Sequence, residues 1–257
     1  MLFYRVLCCF VLLAGALNVK AGQTITMGTG ISMPPYVIAE ANRGIAVDIF
    51  RAAMEEEGVK VEVDYNDNAT LLDAFNDKAL DVIFVANRET APDTYFSDSP
   101  LVVFHNFAIA LEQTDVKLEQ IRDLRYYRIG AFRLASRLLP APYGASADQS
   151  PDYREYSQQL EQVRGLFNKD REVLVMDQTI FRYYLSQLRR QNPGSGLYRQ
   201  SYKYYDLFPK SRYFAVFHNE EYRDAFNRGM EKIRKSGRYE RILRAYQALL
   251  SDYLFSS

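Results

Sequence analysis

The spacing of apolar residues changes period several times along the chain, and each change marks an element. Residues 24–29 (TITMGT) read as a first strand. Val47, Phe50 and Met54 then recur three to four residues apart, as on one face of a helix. That helix closes with Glu55, Glu56, Glu57 and Gly58, where glycine suits a left-handed position past the end. Val59, Val61, Val63 and Tyr65 alternate with polar residues, the period of a strand with one buried face. Leu71, Leu72 and Phe75 return to helical spacing, Asn76-Asp77-Lys78 breaks it, and residues 81–85 (DVIFV) read as a short buried strand. The order β-α-β-α-β is that of a mostly parallel sheet. A polar loop at 87–94 sits at the carboxyl end of the last strand, where open α/β sheets bind small molecules.

Residues 101–111 are rich in Val, Phe and Ala and read as one apolar strand, which the polar stretch 112–119 ends. A short strand at 128–131 leads into a helix that begins at Phe132. Residues 140–151 carry three prolines with Gly and Ser and read as a surface loop. A helix at 158–167 and a buried strand at 172–176 follow. Asp177 then stands at an N-cap position ahead of Phe181, Tyr184, Leu185 and Leu188. An apolar strand at 213–217 precedes two closing helices within 219–246. Asn219 caps the first of these, and Ser236-Gly237 separates them.

Composition narrows the function classes. Thirty-two basic and 32 acidic residues cancel, so no nucleic-acid partner is indicated. The two cysteines, Cys8 and Cys9, lie in an N-terminal segment with Arg5, an apolar run from 6 to 17, and Val19-Lys20-Ala21. This is the layout of a signal peptide, residues 1–21, cleaved near Ala21 for export to the periplasm. The apolar run is shorter than the roughly 20 residues that span a bilayer. The remaining chain holds no cysteine, which removes disulfides, thiol nucleophiles and cysteine metal sites. His105 and His218 have no neighbouring acid at ligand spacing, so neither a metal nor a cofactor is expected.

Several runs carry a resemblance. They include Phe75 to Lys78 with Asp81-Val82-Ile83, then Phe96-Ser97-Asp98-Ser99-Pro100, Pro34-Pro35-Tyr36, and the 44–50 segment with Asp48. In the last helices Asn227, Gly237, Tyr239, Ile242 and Tyr246 extend it. Together they resemble the bacterial extracellular solute-binding proteins of family 3, the periplasmic amino-acid-binding type. The resemblance implies an α/β, two-lobe periplasmic-binding-protein fold of type II, with two hinge crossovers and a ligand cleft between the lobes. It divides the chain into a first lobe (22–110), a second lobe (111–212) and a return to the first (213–257).

The same resemblance proposes ligand-binding residues. Tyr36 matches an aromatic that stacks on the ligand, although a packed loop aromatic has the same signature. Asp177 matches an aspartate that receives an α-amino group, although an N-cap needs aspartate for local reasons. The family's carboxylate-binding arginine has no match at its usual place. Arg88, beside Asn87, takes that role or else forms a surface pair with Glu89. The strand-to-helix turn that cradles a carboxylate in the family reads Phe132-Arg133-Leu134-Ala135-Ser136. It lacks the family glycine, leaving Arg133 and Ser136 as anion contacts. The implied function is a monomeric, Venus-flytrap solute-binding protein with no catalytic residues. It takes an amino acid or related carboxylate and hands it to an inner-membrane ABC permease or a receptor. Two alternatives stay open: a cyclohexadienyl-dehydratase-like enzyme, and a ligand-less protein acting through protein contacts.

Overall fold

Two five-stranded sheets of the same design make up the chain, and each rests on a parallel trio of strands. The computed structural model describes residues 22–84, 91 and 93–251; the expected signal peptide and the site candidates Asn87 and Arg88 lie outside these. In chain order the elements are β1 Thr24–Gly30, β2 Ser32–Met33, β3 Val37–Ile38, α1 Ile45–Glu55, β4 Lys60–Asn66, α2 Asn68–Asn76, β5 Val82–Ile83, β6 Tyr95–Phe96, β7 Val102–Phe104 and β8 Asn106–Leu111. There follow β9 Ile129–Phe132, α3 Ala135–Leu138, α4 Ala141–Asp148, β10 Tyr153–Tyr156, α5 Gln159–Phe167, β11 Val173–Asp177, α6 Gln178–Gln191, β12 Tyr202–Tyr205, β13 Ser211–Tyr213, β14 Val216–Phe217, α7 Glu220–Lys235 and α8 Arg238–Ser251.

The first sheet runs β4-β1-β5-β14-β6 and the second β10-β9-β11-β8-β12. In each, the central strand pairs in parallel with the next two strands of its half, the order 2-1-3. An antiparallel strand then joins each trio, β14 beside β5 and β8 beside β11. With this order the winding reverses between β1 and β5, and again between β9 and β11. Ligand crevices of open α/β sheets lie at the carboxyl ends of such strand pairs.

The passages between the sheets lie close together. β7 and β13 form a two-stranded antiparallel ribbon, from Phe104↔Ser211 to Tyr213↔Val102. The apolar run 101–111 is therefore two strands, broken at His105. Its second piece, Asn106–Leu111, pairs with β11 and β12 in the second sheet rather than with the first half of the chain. A strand buried on both faces carries no mark of the sheet that receives it. Residues 213–217 divide in the same way, into the ribbon strand β13 and the sheet strand β14.

One loop expectation fails. Residues 141–148 are helix α4, not surface loop, and Tyr143, Ser146 and Ala147 are buried on it. Pro140 stands at its N-cap and Pro142 in its first turn, where a fixed φ suits a helix start and the missing amide has no partner to lose. Tyr143 meets Tyr153 and Phe208 edge-on, closing the core on that side of the second sheet.

In the first half, Phe50 of α1 stacks on Phe226 of α7 at 4.9 Å and on Phe217 of β14 at 6.0 Å. Gly229 lets α7 approach so closely that a Cβ there would lie 2.0 Å from the Ala53 carbonyl oxygen. The Phe-Ser-Asp-Ser-Pro run is structural here: the Ser97 amide donates to the Ala215 carbonyl, and Ala215 N–H donates to Ser97 Oγ at 3.1 Å. Asp48 accepts from the Tyr246 hydroxyl at 2.6 Å and so ties α1 to α8. His218 stacks on Phe75 at 3.8 Å inside the first half.

Candidate functional site

Four expected residues fall within the described chain, on the carboxyl-end side of parallel strands. Tyr36 lies in the β2–β3 turn beyond β1, Arg133 and Ser136 follow β9, and Asp177 is the last residue of β11. These are the reversal points of the two sheets.

Asp177 is the centre. Its carboxylate caps α6, with Oδ1 accepting from Thr179 N–H at 2.9 Å and Ile180 N–H at 3.1 Å. Oδ2 accepts from His105 N–H at 2.8 Å, in the passage between β7 and β8. The Tyr36 hydroxyl reaches from the first half and donates to Oδ1 across 3.4 Å, at the weak end of hydrogen bonding. Asp177 is 3% exposed, and these donors are all neutral. Burial pushes its carboxyl above the usual range, outweighing the hydrogen bonds that favour the charged form. Burial also raises the Tyr36 phenol, and the charge of Asp177 adds to that shift.

Tyr36 is held stiffly. Its carbonyl accepts from Ala46 N–H and that of Pro35 from Ile45 N–H, so the loop is stapled to the first turn of α1. Gly44 makes this possible, with φ 149° and a Cβ position only 2.2 Å from the Tyr36 oxygen. The Tyr36 ring meets Phe104 edge-on at 4.9 Å, and Phe104 meets Tyr213 at 5.3 Å. An aromatic wall thus runs from the site to the ribbon that joins the halves.

The turn after β9 is organised around a residue absent from the sequence reading. Glu155, from the edge strand β10, accepts from Leu134 N–H at 2.7 Å with Oε2. Its Oε1 accepts from Ser136 N–H at 3.0 Å, Ser136 Oγ at 2.8 Å and the Tyr153 hydroxyl at 2.8 Å. Burial raises its carboxyl, but these bonds prevail and hold it below the usual range. Leu134 takes the left-handed conformation, φ 65°, which turns its amide toward the carboxylate. A non-glycine residue adopts that region at a cost of about 1–2 kcal/mol. Ser136 is therefore engaged with Glu155, and Arg133 is exposed on the same turn.

His105 joins the two passages. Its Nε2 lies 2.8 Å from Asp206 Oδ1, and Asp206 belongs to the return passage between β12 and β13. Neither Glu155 nor this pair was expected from the sequence. The signal for Glu155 is an acid on the same face of a short strand as Tyr153, two residues away. A hollow of about 430 Å³ opens between β10 and α5, and Glu155 is among the residues that line it, with Arg154, Tyr156 and Arg164. Arg164 there is paired with Glu161 and Arg154 lies over the Tyr156 ring, so the reversal points remain the stronger candidate. Among the described residues no group of three His, Cys, Asp or Glu is placed to hold a metal.

The family model of bacterial extracellular solute-binding proteins, family 3, matches residues 25–248. No curated protein matches the chain. Among solved structures, the GluR0 ligand-binding core in complex with L-glutamate aligns with a TM-score of 0.66 at 17% identity, covering 88% of this chain and 99% of that one. An ancestral arginine-binding protein bound to arginine aligns at 0.63 and 20%, over 88% and 99%. An ancestral amino acid-binding protein described as a precursor of cyclohexadienyl dehydratase aligns at 0.63 and 15%, over 87% and 95%. At these identities the structures establish the type II fold.

Proposed function

The chain belongs to the bacterial extracellular solute-binding proteins of family 3, and on that premise we propose that it is a periplasmic protein that captures a small polar solute between its two lobes. It passes the solute to an inner-membrane ABC permease or reports it to a receptor. The observation that carries this reading is Asp177, a buried carboxylate at a strand-order reversal whose hydrogen-bond donors are all neutral. A buried charge without a partner of opposite sign is costly, and a ligand ammonium supplies that partner. The Tyr36 hydroxyl is the donor such a group displaces, because its 3.4 Å bond is the longest of the four.

The two passages at 105 and 206–210 support hinge closure, which needs a few residues that absorb a change in backbone angles. The ring of His105 against Asp206 ties those passages together, and the His105 amide reports directly to Asp177. Ligand in the cleft and the angle between the lobes are thereby linked through one residue.

A thermal-shift screen of amines, amino acids and organic acids tests the proposal. A ligand at a hundredfold excess over its Kd stabilises the folded state by about 2.7 kcal/mol, a rise of several degrees in Tm. If none of these compounds moves the transition, the solute-binding reading fails. The ligand-less alternative then gains, and it has an observation of its own: Asp177 and the 134–136 amides are already satisfied by the chain itself. Release of an aromatic product from prephenate, followed by absorbance, would instead favour the dehydratase alternative.

A further inference from the structure

We infer that Glu155 selects against a ligand carboxylate, so that the solute is a primary amine bearing no carboxylate beside its amino group. This inference rests on the solute-binding reading above and narrows its ligand class. The solved relatives described above hold L-glutamate and arginine, both α-amino acids.

In the second sheet β9 lies between β10 and β11, and Glu155 is level with Ala131 and, across it, with Val175, so Asp177 stands two strands over and two residues further toward the carboxyl end. At about 4.8 Å between strands and 3.3 Å per residue their backbone positions stand roughly 12 Å apart at the same end of the sheet. An amine seated on Asp177 points its substituents along that end, over the turn at 132–136. In place of free donors, the substituent meets a carboxylate that has already taken the Leu134 and Ser136 amides, the Ser136 hydroxyl and the Tyr153 hydroxyl.

Those bonds hold Glu155 ionised, so a second carboxylate there meets like charge in a partly desolvated place. Arg133, the cation on that turn, is exposed, where solvent and salt screen most of its attraction. A neutral or cationic substituent carries no such penalty. Exposed Leu134 on the turn and Ile31 just past β1 offer apolar surface to a carbon chain, and Tyr36 with Phe104 forms an aromatic wall.

Matched pairs that differ by one carboxylate provide the test. Calorimetric Kd values are measured for lysine against cadaverine, arginine against agmatine and tyrosine against tyramine. Wild type is compared with Glu155→Gln, and Glu155→Asp serves as the control that retains charge. The expected result is that the best-bound amine exceeds its parent amino acid by at least about tenfold. Glu155→Gln should shrink that ratio severalfold, and Glu155→Asp should preserve it. Parent amino acids binding as tightly as their amines would overturn the inference and leave the solute-binding reading standing. A ratio unchanged in Glu155→Gln would overturn the role of Glu155. Silence from every member of every pair would remove both readings. Should Glu155→Gln fail to fold, the wild-type ratios decide the matter.

Discussion

Replacing Gly44 with alanine is expected to remove about 2–6 kcal/mol of stability, a large share of the 5–15 kcal/mol typical of a folded domain. Two effects add. Gly44 sits at φ 149° and ψ 164°, a region open essentially to glycine alone, and a side chain there costs about 1–3 kcal/mol of strain. The new methyl group also falls 2.2 Å from the Tyr36 carbonyl oxygen and 2.8 Å from Val37 Cα. Both are backbone atoms, so relief requires moving the loop, and overpacking of this kind costs a further 1–3 kcal/mol or so. The loop that must move carries Tyr36, so any folded fraction should also bind solute poorly. Urea unfolding of Gly44→Ala beside Gly194→Ala separates position from residue type, because nothing lies within 4 Å of a Cβ at Gly194. The control should stay within about 0.5 kcal/mol of wild type. A Gly44→Ala protein as stable as the control would show that the staple between α1 and the Tyr36 loop does not hold the site.

Local chemistry made much of this architecture readable. Alternation at 59–65, helical spacing at 47–54 and the cap at Asp177 each depend on neighbours within a turn or two, and each element appears where expected. The pattern failed where distant partners decide. The apolar run 101–111 gave no sign of breaking at His105, because the break comes from pairing β7 with β13 and β8 with β11. Pro140 and Pro142 signalled a loop because composition does not distinguish a proline that starts a helix from one that prevents it. At the site, Asp177 and Tyr36 were legible as residue types. Their mutual hydrogen bond, across 141 positions, was not. Glu155 was invisible for the same reason: its partners at 134 and 136 belong to the turn that follows the strand next door.

Asp177→Asn should abolish solute binding and also change the shape of the stability–pH curve, and the two effects share one cause. Burial raises the folded-state carboxyl of Asp177 above its unfolded value. Its contribution is therefore full below the usual carboxylate range and is lost as pH rises through the raised value. Glu57, Glu155 and Asp123 have the opposite sign: their carboxyls are lowered, so their contributions appear as pH rises toward the usual range and are lost in acid. Wild-type stability should thus climb out of acid, peak near the usual carboxylate range, and decline above it. In Asp177→Asn the decline should vanish. Asparagine still caps α6 through its oxygen, but its amide faces His105 N–H, so below the range of that decline the variant should be less stable than wild type by about 1 kcal/mol. An ammonium ligand acts on the same term by giving the buried charge a partner, so saturating ligand should flatten the wild-type decline and stabilise the protein more at pH 8 than at pH 4. In Asp177→Asn the ligand should do nothing at either pH. Denaturant unfolding from pH 3 to pH 8, with and without ligand, reads all four curves. Superimposable profiles for wild type and variant, or a ligand shift that survives the substitution, would place the binding charge elsewhere in the molecule.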